Sequence, residues 1–269
     1  MSESIKIETV KTDDFEMDYF KFGTGKETMV IIPGLSVDGV MKYADAVAAA
    51  YAPMAEEYTI YVFERRKNLP EKYSVYDMAE DTVLAIRKLG LKDIYLFGAS
   101  QGGMISMVIA MEEPEPVKKL VLGSTAASVE DVQYQKAVGE WVRFAKEGKK
   151  EELYLSFGEA VYPKEIFEQS RDALKEGAKA VTEEDLSRFV ILAEAVQNFD
   201  VSDRLAEITC PVLVLGSKDD AVLGGEASER LFEAFKDRSD CELYMYEGYG
   251  HAAYDLAPDY KERMLNFYR

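Results

Sequence analysis

One histidine and two cysteines stand in a chain of 269 residues, and that scarcity removes whole classes of site. The thiols, Cys210 and Cys241, are isolated, no H-E-x-x-H occurs, and the usual zinc spacings cannot be assembled from what is present. Neither a metal nor another cofactor is expected. No apolar run approaches the roughly 18 residues that a membrane helix needs. The start, Met1-Ser2-Glu3-Ser4-Ile5-Lys6, lacks the basic segment and apolar stretch of an export signal, so the chain reads as cytoplasmic, with both thiols reduced. Positive charge is also short. Against 50 acidic side chains there are 32 basic ones, a formal charge of −18, which repels nucleic acid and anionic membranes alike. Gly23-Thr24-Gly25-Lys26 is no phosphate loop: Phe20 stands where its first glycine belongs, and Glu27 where Ser or Thr is needed.

What is present alternates. Ile5–Lys11 and Glu16–Phe22 interleave apolar and polar residues around Thr12-Asp13-Asp14, the pattern of a hairpin. Thr28–Ile32, Thr59–Phe63, Ile94–Phe97 and Leu120–Leu122 are short apolar runs closed by turn residues, which predicts buried strands. Helical segments fall between them. An Ala-rich one spans roughly Val40 to Glu57 and is interrupted near Pro53, and a second starts at Ser74, with Asp77 completing a capping box, and ends at Gly90. This β, α, β, α rhythm demands a mostly parallel sheet with helices on both faces.

The rhythm breaks between Ser128 and Phe199, where helical periodicity recurs around 132–144, 153–157, 166–174 and 186–196 without a convincing strand. The segment reads as a helical cap inserted into an α/β core, with core parts at 1–127 and 201–269 and the insertion at 128–200. It carries Trp141, Phe144, Tyr154, Phe157, Tyr162, Phe167, Phe189 and Phe199, rings that either line an apolar lid or hold the cap helices together. Cys210–Leu215, a helix over Glu226–Phe235, Cys241–Tyr246 and a final helix from Pro258 to Phe267 resume the sheet pattern.

One stretch organises the rest. Ile94-Tyr95-Leu96-Phe97-Gly98-Ala99-Ser100-Gln101-Gly102-Gly103 runs from an apolar strand through a sharp turn into the helical Met104, Ile105, Met107, Val108, Ile109, Met111. So tight a turn crowds backbone on backbone two residues before and two after the serine, where only glycine fits. A G-x-S-x-G arises by chance in on the order of one chain in ten of this length, so the setting carries the argument. Strand, turn and helix lift the serine hydroxyl above the sheet edge, beside a helix N-terminus whose unpaired N–H groups favour negative charge. A serine nucleophile needs a base, and the base a carboxylate. His251, the only histidine, follows the last strand in Gly248-Tyr249-Gly250-His251-Ala252-Ala253, and Asp219 and Asp220 follow the strand before it. Loops beyond the carboxyl ends of strands are where open α/β sheets assemble sites.

On these residues the chain resembles the α/β-hydrolase superfamily over essentially its whole length. Closest is Asp203 to Asp219, ending Pro211-Val212-Leu213-Val214-Leu215-Gly216-Ser217-Lys218-Asp219, which is similar to the family's entry into its acid strand. The resemblance implies an eight-stranded sheet with the second strand antiparallel. It places the acid fourth counting from the glycine, which selects Asp219 over Asp220, and makes Ser100, Asp219 and His251 the catalytic set. It also implies an oxyanion hole formed by the N–H groups of Leu35 and Gln101, although Pro33-Gly34-Leu35 stands where relatives commonly carry His-Gly. Phe63-Glu64-Arg65-Arg66-Lys67-Asn68 replaces the family's Asp-x-Arg-Gly-x-Gly turn. The expected activity is hydrolysis of a carboxylic ester or thioester of a small to medium, largely apolar molecule. Carbon–carbon bond hydrolysis, perhydrolysis, or slow-turnover ligand reception on the same scaffold are its rivals.

Overall fold

The computed structural model describes residues 4–130 and 132–269. Strands β1 (Ile7–Lys11), β2 (Glu16–Phe22), β3 (Glu27–Ile32), β4 (Tyr58–Arg66), β5 (Ile94–Ala99), β6 (Val117–Gly123), β7 (Val212–Ser217) and β8 (Cys241–Tyr246) form one eight-stranded sheet in the order β1-β2-β4-β3-β5-β6-β7-β8. Strand β2 runs antiparallel to β1 and β4, and the other pairings are parallel. This is the α/β-hydrolase fold expected from the sequence, second strand included. After β3 the chain moves to β4 on one side and then returns to β5 on the other. A crevice therefore opens at the carboxyl ends of β3 and β5, where strand order reverses.

Period-2 alternation sorts the sheet into two apolar layers. Val30, Ile32, Leu96, Leu120, Leu122 and Val214 face α2 (Val75–Lys88), α3 (Gln101–Glu112) and the cap. Met29, Ile31, Ile60, Tyr95, Phe97, Val121 and Leu215 face the opposite layer, which includes residues of α1 (Ala44–Ala50) and the C-terminal segment. Helix α3 is buried over nearly its whole length, from Gln101 to Met111, so its apolar residues cover every side rather than one stripe. Helix α2 starts on the expected capping box, with Asp77 N–H donating to Ser74 Oγ and Ser74 N–H to Asp77 Oδ2.

The Ala-rich segment divides as its proline suggests: α1 stops at Ala50, and a 3₁₀ turn at Ala52–Met54 takes up Pro53. Strand β4 departs from the sequence reading. It continues past Phe63 to Arg66, because Met17 of β2 pairs with Arg66 across an irregularity in the ladder. Residues expected as the turn that closes the Thr59–Phe63 run thus end a central strand. Between β6 and β7 lie α4 (Val132–Lys146), α5 (Lys150–Val161), α6 (Lys164–Lys179) and α7 (Glu183–Glu194), the helical cap, with a bridge between Ser128 and Asp200 at its stem. Phe157 packs at a tilt against Trp141 and edge-on to Phe189, joining three of these helices, and Trp141 and Phe189 are almost fully buried. These rings hold the cap together. Helices α8 (Ala227–Phe232), α9 (Ala253–Leu256) and α10 (Tyr260–Tyr268) complete the chain. Among the described residues no helix is long and apolar enough to cross a membrane.

Glycine at the elbow is a matter of space. A Cβ added at Gly98 would lie 2.3 Å from the Gly102 carbonyl oxygen, and one at Gly102 would lie 1.9 Å from that of Ile32. Gly98→Ala is expected to lower unfolding free energy in urea by about 1–3 kcal/mol through overpacking. Gly139→Ala, on an exposed turn of α4 where an added Cβ meets nothing, should instead raise it by about 0.5–1 kcal/mol. Equal effects at the two positions would contradict the steric argument.

Candidate active site

Ser100 sits between β5 and α3 with φ +52° and ψ −122°, a conformation side chains rarely adopt. Its backbone is held from several sides. The N–H donates to the Gly123 carbonyl at 2.8 Å, and its own carbonyl accepts from Gly103 N–H at 2.9 Å and Thr125 Oγ1 at 2.7 Å. The strained turn is therefore fixed by β6 and the loop after it, which leaves the hydroxyl at the carboxyl edge of the sheet.

His251 follows β8 and is 3 % exposed. Its Nε2 lies 3.0 Å from Ser100 Oγ and its Nδ1 lies 2.8 Å from Asp220 Oδ2. A carboxylate only accepts, so Nδ1 carries the proton and the Nε2 lone pair is free to accept from the serine hydroxyl. The structure thus brings Ser100 and His251 together.

The acid is corrected. Asp220, not Asp219, faces the imidazole, and the reason lies in the turn after β7. Asp220 is buried, and its Oδ1 accepts the N–H groups of Val222 and Leu223 at 2.8 and 2.9 Å, which aims Oδ2 at the ring. Asp219 turns outward along the histidine loop instead. It accepts from Gly248 N–H at 3.0 Å, Gly250 N–H at 3.1 Å and the Ser217 hydroxyl at 3.0 Å. Burial by itself would raise the Asp219 carboxyl, but the Gly250 N–H, the Ser217 hydroxyl and the Gly248 N–H outweigh it and hold the group below the ordinary carboxylate value. Neighbouring aspartates divide the work: one orients the ring, the other ties down the backbone that carries it. Counting from the glycine selected Asp219, the neighbour of the aspartate that meets the ring. What separates them is backbone: the Val222 and Leu223 N–H groups on Asp220, and the Gly248 and Gly250 N–H groups on Asp219.

The Pro33-Gly34-Leu35 loop closes on the serine. A Cβ at Gly34 would stand 3.1 Å from Ser100 Cβ and 3.7 Å from Ser100 Oγ, so the backbone next to Leu35 passes directly beside the Ser100 side chain. Gln101 begins α3 next to it, and its side chain is buried and clamped. Its Oε1 accepts from Arg65 Nη2 at 3.3 Å, and its Nε2 donates to the Leu192 carbonyl of α7 at 2.7 Å. The cap also reaches the two other loops: Ala252 N–H donates to the Val161 carbonyl at 3.1 Å, and Gln133 Nε2 to the Ala221 carbonyl at 2.6 Å.

The arrangement of a hydroxyl, an imidazole within hydrogen-bond reach of it and a buried carboxylate behind the imidazole suits nucleophilic acyl transfer. A model of the serine aminopeptidase, S33, hydrolase family matches residues 72–255. Curated proteins named "Putative carbamate hydrolase RutD" are similar over most of the chain. That of Cronobacter turicensis is 26% identical and covers 87% of each sequence; that of Rhizobium rhizogenes is 24% identical and covers 90% of this chain and 93% of its own. Among solved structures, an α/β hydrolase enzyme from a Medee basin deep-sea metagenome library superposes with a TM-score of 0.85 at 19% identity over 97% of both chains. The enol-lactonase of Burkholderia xenovorans gives 0.82 at 13% identity, over 97% of this chain and 99% of its own.

Because the folded pKa of Asp219 is depressed, its contribution to stability is present above the unfolded carboxylate value of about 4 and is lost as pH falls through the folded one. Asp219→Asn should lower the melting temperature at pH 7 by a few degrees at most, since the group is exposed and each bond is worth about 1 kcal/mol or less. The gap to wild type should then close below about pH 4. A gap that does not depend on pH would mean that the carboxylate charge does not hold the loop.

Proposed function

The chain belongs to the α/β-hydrolase superfamily, and on that premise we propose that it is a serine hydrolase that passes the acyl group of a carboxylic ester or thioester to water through an acyl-enzyme. The observation that carries this reading is the unbroken run from Asp220 Oδ2 through both nitrogens of His251 to Ser100 Oγ, at 2.8 and 3.0 Å.

Ser100 Oγ attacks the carbonyl carbon while its proton passes to His251 Nε2, and the carbonyl π electrons move onto oxygen. The N–H groups of Leu35 and Gln101 hold that oxyanion, each contributing about 3–4 kcal/mol to the transition state. Collapse of the intermediate expels the alcohol or thiol, which takes the proton from Nε2 and leaves the acyl group on Ser100. Water then repeats the sequence, giving a proton to His251 and its oxygen to the acyl carbon, and Ser100 recovers its proton as the carboxylic acid departs. Asp220 keeps the Nδ1 proton in place and stabilises the imidazolium that forms twice per cycle. The apolar cap above the sheet supports a small to medium, largely apolar acyl group. No step draws on a cofactor.

A second reading is carbamate hydrolysis, favoured by the name of the RutD relatives that match 87–90% of this chain. The same atoms would act, with a carbamoyl group on Ser100. Nitrogen donation makes that carbonyl less electrophilic, so deacylation would be the slow step.

Hydrolysis of p-nitrophenyl esters with acyl chains of two to sixteen carbons, and of the matched p-nitrophenyl carbamates, tests both. The account expects medium-chain esters to give the highest kcat/KM, and a carbamate optimum would select the second reading. Ser100→Ala should abolish turnover. Asp220→Asn should reduce kcat by about three to four orders of magnitude, because an amide there favours the wrong tautomer, whereas Asp219→Asn should retain most activity. Turnover that survives Ser100→Ala, or equal losses at the two aspartates, would overturn the assignment.

A further inference from the structure

Arg65 takes no part in the chemistry just described, yet it is one of the most expensively placed side chains in the molecule. It lies one residue from the end of β4, is 3 % exposed and makes no direct ion pair among the described residues. Taking a guanidinium out of water costs several kcal/mol unless its donors are used. Burial draws its pKa below the ordinary arginine value, while the neighbouring Glu64 carboxylate opposes that pull.

Where the donors go is informative. A single nitrogen, Nη2, donates to the Pro33 carbonyl at 2.7 Å and to Gln101 Oε1 at 3.3 Å. Pro33 lies two residues before Leu35, and Gln101 is the residue after Ser100, so this one atom ties the loop leading to Leu35 to the Gln101 side chain. Glu64, its neighbour, fastens the far end of the same loop: Oε2 accepts the Val40 N–H at 2.8 Å, and a Cβ at Gly39 would lie 2.7 Å from it. The Pro33–Val40 segment is therefore held at both ends by consecutive residues of β4. From the cap, Arg188 of α7 donates to the carbonyls of Arg65 at 3.1 Å and Arg66 at 2.8 Å. Gln101 Nε2 closes the circuit on Leu192 of the same helix.

Resting on the acyl-transfer reading above, we propose that Arg65 is a positioning residue that sets the spacing of the Leu35 and Gln101 amides through Pro33 and the Gln101 side chain, with α7 of the cap as its outer support. It touches no reacting atom. Its effect is on how well two N–H groups converge on an oxygen that exists only in the transition state, and such convergence is sensitive to small displacements. A purely structural arginine would affect stability and leave that convergence alone.

The test compares Arg65→Lys, Arg65→Met, Gln101→Met and the Arg65→Met/Gln101→Met pair with wild type in the full chain. The readouts are kcat and KM on a p-nitrophenyl ester and inhibition by a trifluoromethyl ketone, whose adduct with Ser100 carries an oxyanion. Competition by the unreactive secondary alcohol of the same shape reports ground-state binding, and melting temperature reports folding. Expected is a fall in kcat of about ten- to a hundredfold with KM and alcohol binding within threefold. Ketone affinity should fall in step with kcat, and Arg65→Lys should retain more than Arg65→Met because it keeps a charged donor. The double variant should lose scarcely more than either single one, since both remove the same support. Should Arg65→Met fail to fold, Arg65→Lys and Gln101→Met carry the comparison. Folded Arg65→Lys and Gln101→Met proteins with wild-type kcat and ketone affinity would overturn the proposal while wild type still hydrolyses ester. A wild-type protein that neither hydrolyses ester nor forms the ketone adduct would overturn the acyl-transfer reading and this inference with it.

Discussion

The contact between Asp220 and His251 is the constraint on which the site depends. A neutral imidazole has two tautomers, and only the one with its proton on Nδ1 can accept from Ser100. A buried carboxylate at 2.8 Å selects that tautomer and remains in place to stabilise the charged form. Asp220 can do so because two amides of its own turn fix its other oxygen, and because the loop opposite is tied at Gly248 and Gly250 by Asp219. The strained backbone of Ser100 is the complementary investment on the nucleophile's side.

The cap is bound into this arrangement. It contributes the Leu192 carbonyl to Gln101, the Val161 carbonyl to the histidine loop, Gln133 to the acid loop and Arg188 to the end of β4. Each such hydrogen bond adds only about 1 kcal/mol net, but together they reach every loop that holds a reacting group. Its rings divide by exposure: Trp141, Phe167, Phe189 and Phe199 are buried and hold the helices together, whereas Phe144, Tyr154, Phe157 and Tyr162 are half-buried.

Much of this was legible before any coordinates. Alternating short apolar runs and helices specified the sheet, and the steric demand at Gly98 and Gly102 specified the elbow. A single histidine after the last strand left no competition for the base. The acid was legible only to within a pair, because the residues that choose between Asp219 and Asp220 are backbone amides of Val222, Leu223, Gly248 and Gly250, which carry no signal of residue type. Arg65 was hidden for another reason. Glu64-Arg65-Arg66 reads as a solvated turn, and its burial follows from the β2–β4 pairing and from the cap, both distant in sequence.

Because the chain holds a single histidine, imidazole ¹⁵N resonances of the protein report one residue without ambiguity. Nitrogen-15 NMR of histidine-labelled protein at neutral pH, with the downfield hydrogen-bonded proton observed alongside, tests the central contact directly. The account predicts a protonated Nδ1 and an unprotonated Nε2 in wild type and in Asp219→Asn, with that pattern lost in Asp220→Asn. A pattern that survives Asp220→Asn but collapses in Asp219→Asn would contradict it.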